Sequence, residues 1–245
     1  MEMLHSLQWA AFGTLFTFTM TTLGAGLVFL LPGGENRCGG RGLLGFAAGV
    51  MTASAVWSLL LPAIDRSEAL GLPGWLPPSG GMLAGAAFLA ALEALLSPLR
   101  QEEDGALLMA AITLHNIPEG MAVGLAFALA SSGESFGAAA ALALGVGLQN
   151  FPEGAAVSLP LAGRGRGRAF LRGVASGVVE PLFGMAVVVF ASSAGPMMPW
   201  LLSFAAGAML YVVAEELIPQ AHSHPGSCGF VAGFLVMMVL DVALG

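Results

Sequence analysis

The chain has 245 residues, of which 57% are hydrophobic and 9% charged, with a formal net charge of −7 and no lysine. A water-soluble domain carries about 25% charged residues, so this composition excludes a soluble globular protein and indicates an all-α integral membrane protein. Eight arginines spread over short loops build no basic groove, which excludes nucleic acid as a partner.

Taken in order, the chain divides into apolar stretches close to the roughly 20 residues a bilayer crossing needs. Eight qualify, at about 8–31, 42–62, 79–98, 106–130, 137–160, 169–192, 197–219 and 227–245. The first has neither a positive leader nor a small-residue cleavage site, so it reads as a retained helix. Turn chemistry separates the stretches: Pro32-Gly33-Gly34, Gly71-Leu-Pro73-Gly74, Pro77-Pro78-Ser79-Gly80, Gly163-Arg-Gly165-Arg-Gly167 and Pro225-Gly226-Ser227. No loop is long enough to fold alone, so residues 1–245 are expected to form a single transmembrane domain. Arg37, Arg41, Arg100, Arg164, Arg166, Arg168 and Arg172 fall in or beside odd-numbered loops, and only Arg66 in an even one. This asymmetry places the odd loops in the cytoplasm and both termini outside. Cys38 and Cys228 are too few for a disulfide framework and are expected as small apolar fillers.

The chain also repeats itself. Phe46-Ala-Ala-Gly-Val-Met51 in the second span returns as Phe204-Ala-Ala-Gly-Ala-Met209 in the seventh. Gly85 precedes Glu93 in the third span as Gly233 precedes Asp241 in the eighth. Spans 1–3 then correspond to spans 6–8 in inverted topology around a central pair, spans 4 and 5, an arrangement typical of transporters. The glycine pairs 81/85, 120/124 and 173/177 need mean only close helix packing.

The central pair carries one phrase twice, 34 residues apart: His115-Asn116-Ile-Pro118-Glu119-Gly120 and Gln149-Asn150-Phe-Pro152-Glu153-Gly154. Each proline removes a helix donor and frees the carbonyl one turn back, Leu114 or Leu148. Four-residue spacing puts His115 with Glu119, and Gln149 with Glu153, on common faces, with Asn116 and Asn150 alongside. Two facing carboxylates repel, and a divalent cation removes the conflict. Imidazole with carboxylate suits zinc or iron(II), whereas carboxylate and amide oxygens suit harder ions. Glu180 before Pro181, Glu215 and Glu216 before Pro219, Glu93 and Asp241 make the ionisable groups within the spans acidic, which favours cations. Glu93 and Asp241 lie near span ends, where solvation and a role within the span are equally open. Met51 offers a soft thioether, marked only by its repeat partner Met209 and its neighbours Thr52 and Ser54. His222 and His224, in the seventh loop, are placed to pass metal onward.

These residues resemble the ZIP (Zrt/Irt-like) metal transporters, within them the bacterial GufA-like branch, and the resemblance covers the whole chain. It rests on the His115-to-Gly120 and Gln149-to-Gly154 motifs, with Glu180 and Met51 also matching. It implies uptake of divalent transition metal, chiefly zinc, with cadmium, iron and manganese as alternatives, across the bacterial plasma membrane. It implies no cofactor, only transported metal, and a homodimer in the bilayer. Carried over residue by residue, one ion would sit on His115, Glu119, Gln149 and Glu153, with Met51 nearby. A second would use Asn116, Glu119, Asn150, Glu153 and Glu180. Some relatives have aspartate where this chain has Asn150, and that neutral amide weakens the second position. The short acidic third loop, Arg100-Gln-Glu-Glu-Asp104, lacks the histidines many relatives carry there. The expected mechanism is alternating access, with small residues on spans 2 and 7 letting sliding faces approach. A selective channel is the alternative. An intramembrane metalloprotease asks for a second histidine one turn from His115, which is absent, and a P-loop needs the lysine the chain lacks.

Overall fold

A computed structural model describes residues 2–30, 38–96, 106–131, 135–193 and 195–244. Among them all regular structure is helical. The first helix, α1, covers Glu2–Leu30. Next, α2 (Cys38–Ser54) passes through a π-helical turn (Ala55–Leu60) into α3 (Leu61–Ala69). Then come α4 (Leu76–Leu96), α5 (Ala106–Ser131) and α6 (Phe136–Ser158). A short 3-10 turn leads to α7 (Arg166–Gly177) and α8 (Val179–Ser193). Finally α9 (Met198–Val212) runs through a π-helical turn (Val213–Leu217) into α10 (Ile218–Ala221), followed by α11 (His224–Leu244).

The stretches Ser6–Leu30, Arg41–Ala69, Leu76–Leu95, Arg166–Phe190, Met198–Ala221 and His224–Leu244 are long and apolar enough to cross a bilayer. The 26 residues of α5 and the 23 of α6 pack among them. Leu83, Leu95, Phe190 and Val242 are each at least 70% exposed, which in water would be costly and in lipid is the normal outer face. The chain is a multi-pass membrane protein.

Several sequence-based boundaries move. Pro77-Pro78 and Pro225-Gly226, expected as breaks, lie in the first turns of α4 and α11. Proline fits there because first-turn N–H groups have no intrahelical partner. The second span, expected to stop near 62, continues to Ala69. The π turns immediately precede Leu61-Pro62 and Ile218-Pro219, and widening the turn takes up the ring's clash with the carbonyl four residues back. The sixth span, expected as one helix, is interrupted at Val178 between α7 and α8, just before Glu180-Pro181. Gly165, at φ 111°, makes the turn into α7 in a conformation other residues rarely adopt.

Four helix pairs dominate the packing: α1 with α6, α5 with α8, α2 with α11, and α4 with α9. Each is a glycine-to-backbone contact. Gly24 meets the Phe151 carbonyl and Gly154 that of Thr21; Gly120 meets Glu180 and Gly124 meets Gly184. Gly45 and Gly49 meet Gly226 and Phe230, Gly233 meets Phe46, Gly85 meets Phe204, and Gly207 meets Met82. The paired glycines of the sequence therefore do serve close approach. The glycines of the second and seventh spans are committed to α11 and α4, leaving alanines such as Ala47, Ala48, Ala205 and Ala206 on their remaining buried faces.

Candidate metal centre

Proline, glutamate and glycine act together on α5 and α6. Both helices continue through Pro118 and Pro152. Directly after each glutamate, Gly120 seats α5 on the Glu180 carbonyl of α8, and Gly154 seats α6 on the Thr21 carbonyl of α1. A side chain at either glycine would part those helices. Their absence brings Asn116, Glu119, Gln149, Asn150, Glu153 and Glu180 together at full or nearly full burial. Glu119, Glu153 and Glu180 are electrostatic neighbours.

The hydrogen bonds give this group a direction. Gln149 Nε2 donates to Glu119 Oε1 at 2.5 Å, and Asn150 Nδ2 donates to Glu180 Oε2 at 2.9 Å. Asn116 Nδ2 donates at 2.8 Å to the Ser176 carbonyl, in the last turn of α7 before the interruption. All three amides thus commit nitrogen to a protein acceptor. Their oxygens, Asn116 Oδ1, Gln149 Oε1 and Asn150 Oδ1, are buried without a donor, as are Glu119 Oε2 and both Glu153 oxygens. Six buried acceptors without donors are costly left bare, at about 1–3 kcal/mol each and more for a charged group. A cation satisfies them together, whereas an anion would meet the Glu119 and Glu153 carboxylates.

Glu180 differs. Its Oε1 accepts the Thr21 hydroxyl at 2.9 Å and its Oε2 accepts Asn150, so both oxygens have partners. Thr17, one turn before Thr21, sets its side chain against the same carboxylate. Among the described residues no three His, Cys, Asp or Glu side chains converge closely enough to hold an ion by themselves, so the amide oxygens are needed. His115 occupies α5 one turn before Glu119, and its side chain lies outside the described residues. Met51 is fully buried on α2 in the apolar cluster shared with α5, α6 and α9.

The remaining acidic and soft groups lie elsewhere. Asp241, left open between solvent and the span interior, is buried and accepts Ser58 Oγ at 2.6 Å, because α11 packs against the second span there. Glu93 accepts the Tyr211 hydroxyl at 2.9 Å. Glu215 is exposed and Glu216 lies 3.5 Å from Gln220 Nε2, so neither joins the centre. Cys228 is exposed rather than apolar filler, since the first turn of α11 reaches beyond the packed interior; its Sγ is 3.8 Å from His224 Nδ1. The Cys38 side chain and the third loop lie outside the described residues. Thr21 and Ser176 were not singled out in the sequence. The available signal was a hydroxyl stripe, Thr14, Thr17 and Thr21, on one face of α1.

A membrane helix bundle around a buried centre whose unpartnered side-chain atoms, among the described residues, are all acceptors defines a protein suited to handling cations within the bilayer. The sequence model of the ZIP Zinc transporter family matches residues 96–241. Similar proteins include Zinc transporter ZIPB of Bordetella bronchiseptica, 36% identical, with 97% of this chain and 82% of the relative covered. Zinc transporter GufA of Myxococcus xanthus is 34% identical over 95% of this chain and 97% of the relative. Zinc transporter ZIP11 of Homo sapiens is 34% identical over 96% of this chain and 97% of the relative. The chain belongs to the ZIP zinc transporter family, whose members are transporters rather than enzymes.

Proposed function

We propose that this protein carries divalent transition metal, chiefly Zn2+, into the cytoplasm by alternating access through the centre between α5 and α6. The observation that carries the reading is the orientation of the three amides, which leaves their oxygens, with those of Glu119 and Glu153, as unpartnered acceptors. In this reading His115, Glu119, Gln149 and Glu153 bind the ion, with Met51 of α2 nearby. Asn116, Asn150 and Glu180 form the adjoining position.

Eight spans within one domain, 1–245, with both termini outside, complete the proposal, as does a homodimer in the plasma membrane. An inverted repeat is supported by the helix pairs. Exchanging span 1 with 6, 2 with 7, 3 with 8 and 4 with 5 turns the α1–α6 pair into α8–α5, and α2–α11 into α9–α4. The same exchange relates Gly233 on Phe46 to Gly85 on Phe204, and Gly154 on Thr21 to Gly120 on Glu180. No nucleotide enters this cycle; the metal gradient, membrane potential and cytoplasmic chelation drive it.

The test is zinc uptake into proteoliposomes containing a trapped indicator, comparing wild type with Glu119→Ala and His115→Ala. Both variants are expected to lose uptake, and wild-type flux to saturate with concentration. Undiminished transport by both variants would refute the site, and flux linear in concentration would replace the carrier with a channel.

A further inference from the structure

We infer that the start of α7 is a docking surface for the phosphate headgroups of anionic phospholipid, and that lipid held there steadies α7 beside the metal centre.

The chain has a net charge of −7, yet four of its eight cationic side chains, Arg164, Arg166, Arg168 and Arg172, lie between positions 164 and 172. No acidic residue occurs from Gly154 to Val179 to neutralise them. A cluster of about four or more such residues at the membrane end of a span attracts anionic lipid. Because the chain lacks lysine, the cations are guanidinium forks, which match a pair of phosphate oxygens by geometry as well as charge.

The fold sets these arginines at a bare corner. Helix α6 ends at Ser158, and the chain turns through Pro160–Arg164 and Gly165 into α7. Arg166 and Arg168 are exposed there. Gly163, Gly165 and Gly167 alternate with the arginines, and among the described residues nothing lies within 4 Å of a Cβ added to any of them. Lipid-facing side chains flank the corner: Leu30 is 79% exposed and Leu171 64%. Arg166 Nη1 donates to the Phe29 carbonyl at 3.4 Å, and Phe29 meets Phe170 with ring centroids 5.4 Å apart, which ties the cluster to the last turn of α1. Orienting a protein in the bilayer needs only positive charge in a loop. Guanidiniums fixed on a helix beside exposed apolar side chains instead form a surface suited to the boundary between acyl chains and headgroups.

The same helix is seated in the centre. Arg172 lies one turn before Ser176, whose carbonyl accepts Asn116 Nδ2 at 2.8 Å. Gly173 sits against the Ala25 side chain of α1, and a Cβ on Gly177 would lie 3.2 Å from Glu180 Oε1. A headgroup bound at the start of α7 therefore bears on a helix that holds Asn116 in place. The docking surface stands apart from the proposed transport; its effect on uptake rests on that reading.

Lipid retention tests the surface. Purified protein in detergent is titrated with phosphatidylglycerol or phosphatidylcholine, and bound lipid is counted by native mass spectrometry. Wild type is expected to hold phosphatidylglycerol about tenfold or more tightly than the Arg166→Gln/Arg168→Gln/Arg172→Gln variant, with phosphatidylcholine held equally by both. Arg41→Gln, at an exposed position in the first turn of α2, should match wild type. Equal retention of phosphatidylglycerol by wild type and the triple variant, or an equal loss in Arg41→Gln, would overturn the inference. Arg168→Gln alone, expected to weaken retention several-fold, decides the question if the triple variant fails to fold. Zinc uptake tests the coupling, in vesicles of phosphatidylcholine with and without phosphatidylglycerol. Wild type is expected to be several-fold faster with the anionic lipid, and the triple variant equally fast in both. A gain shared by the triple variant would reflect zinc gathering at a charged bilayer and would overturn the coupling. Inorganic phosphate added to phosphatidylcholine vesicles is expected to leave uptake unchanged; a matching gain would assign the surface to free phosphate and overturn the lipid. No uptake by wild type in either vesicle would refute the transport reading, while retention still decides the surface.

Discussion

Gly120→Ala tests how the centre is built. The added Cβ would lie 2.7 Å from Glu180 Cα and 2.9 Å from its carbonyl carbon, where ordinary contact begins near 3.4 Å. The obstacle is backbone, so no side chain can swing aside, and α5 and α8 must part by about 1 Å or less at this point. Overpacking of this kind costs about 1–3 kcal/mol. At roughly 2–4 °C per kcal/mol for a chain of this size, the unfolding midpoint in detergent should fall by several degrees. Because Gly120 follows Glu119 directly, the same displacement moves Glu119 relative to its neighbours, and zinc affinity should fall by about tenfold or more. Gly26 is the control: it lies in α1 with nothing within 4 Å of an added Cβ. Gly26→Ala should raise stability by about 0.5–1 kcal/mol through helix propensity alone. If Gly120→Ala melts at or above wild type and binds zinc equally well, the close approach of α5 to α8 does not set the site.

Thr21→Val deletes the donor to Glu180 Oε1 at nearly constant volume and should cost about 1.5–3 kcal/mol, while Thr21→Ser retains stability; equal loss in both would show that the hydroxyl is irrelevant. Ser58→Ala leaves Asp241 buried without its donor and should lower the unfolding midpoint by the equivalent of about 1–3 kcal/mol, so an unchanged midpoint would argue against that contact. In a Cys38→Ala background, Cys228 should react with a membrane-impermeant maleimide in inside-out vesicles only. Labelling from the opposite face would invert the proposed topology.

The centre was legible in the sequence because its residues are expensive where they stand. Glutamate, asparagine and proline within hydrocarbon draw attention however the chain folds, and their duplication located the helix pair that holds them. Threonine does not stand out in this way. Thr14 and Thr52 bond back to the carbonyls of Ala10 and Ala48, the inexpensive habit of threonine in any helix. Nothing local distinguishes them from Thr21, whose importance depends on Glu180 arriving from 159 residues away. The π turns were hidden for a related reason. Pro62 and Pro219 announce a disturbance, but a proline alone does not say whether the chain ends, kinks or widens a turn. Ser58 and Asp241 show the limit most directly: distance from the span end leaves Asp241 open between solvent and interior, and only helix packing reveals its bond to Ser58.

The committed nitrogens of Asn116, Gln149 and Asn150 have a consequence for the cargo's companions. In solution a zinc ion travels with water, chloride or hydroxide in its coordination sphere. Each amide of the centre has one N–H turned to a protein acceptor, and the Glu119 and Glu153 carboxylates repel an anionic companion. The ion must therefore enter bare of counter-ions, exchanging mobile ligands for fixed oxygens. On the proposed inward route each Zn2+ would then bring its full double charge, and a potential negative inside would favour its entry by about 2.3 kcal/mol per elementary charge per 100 mV.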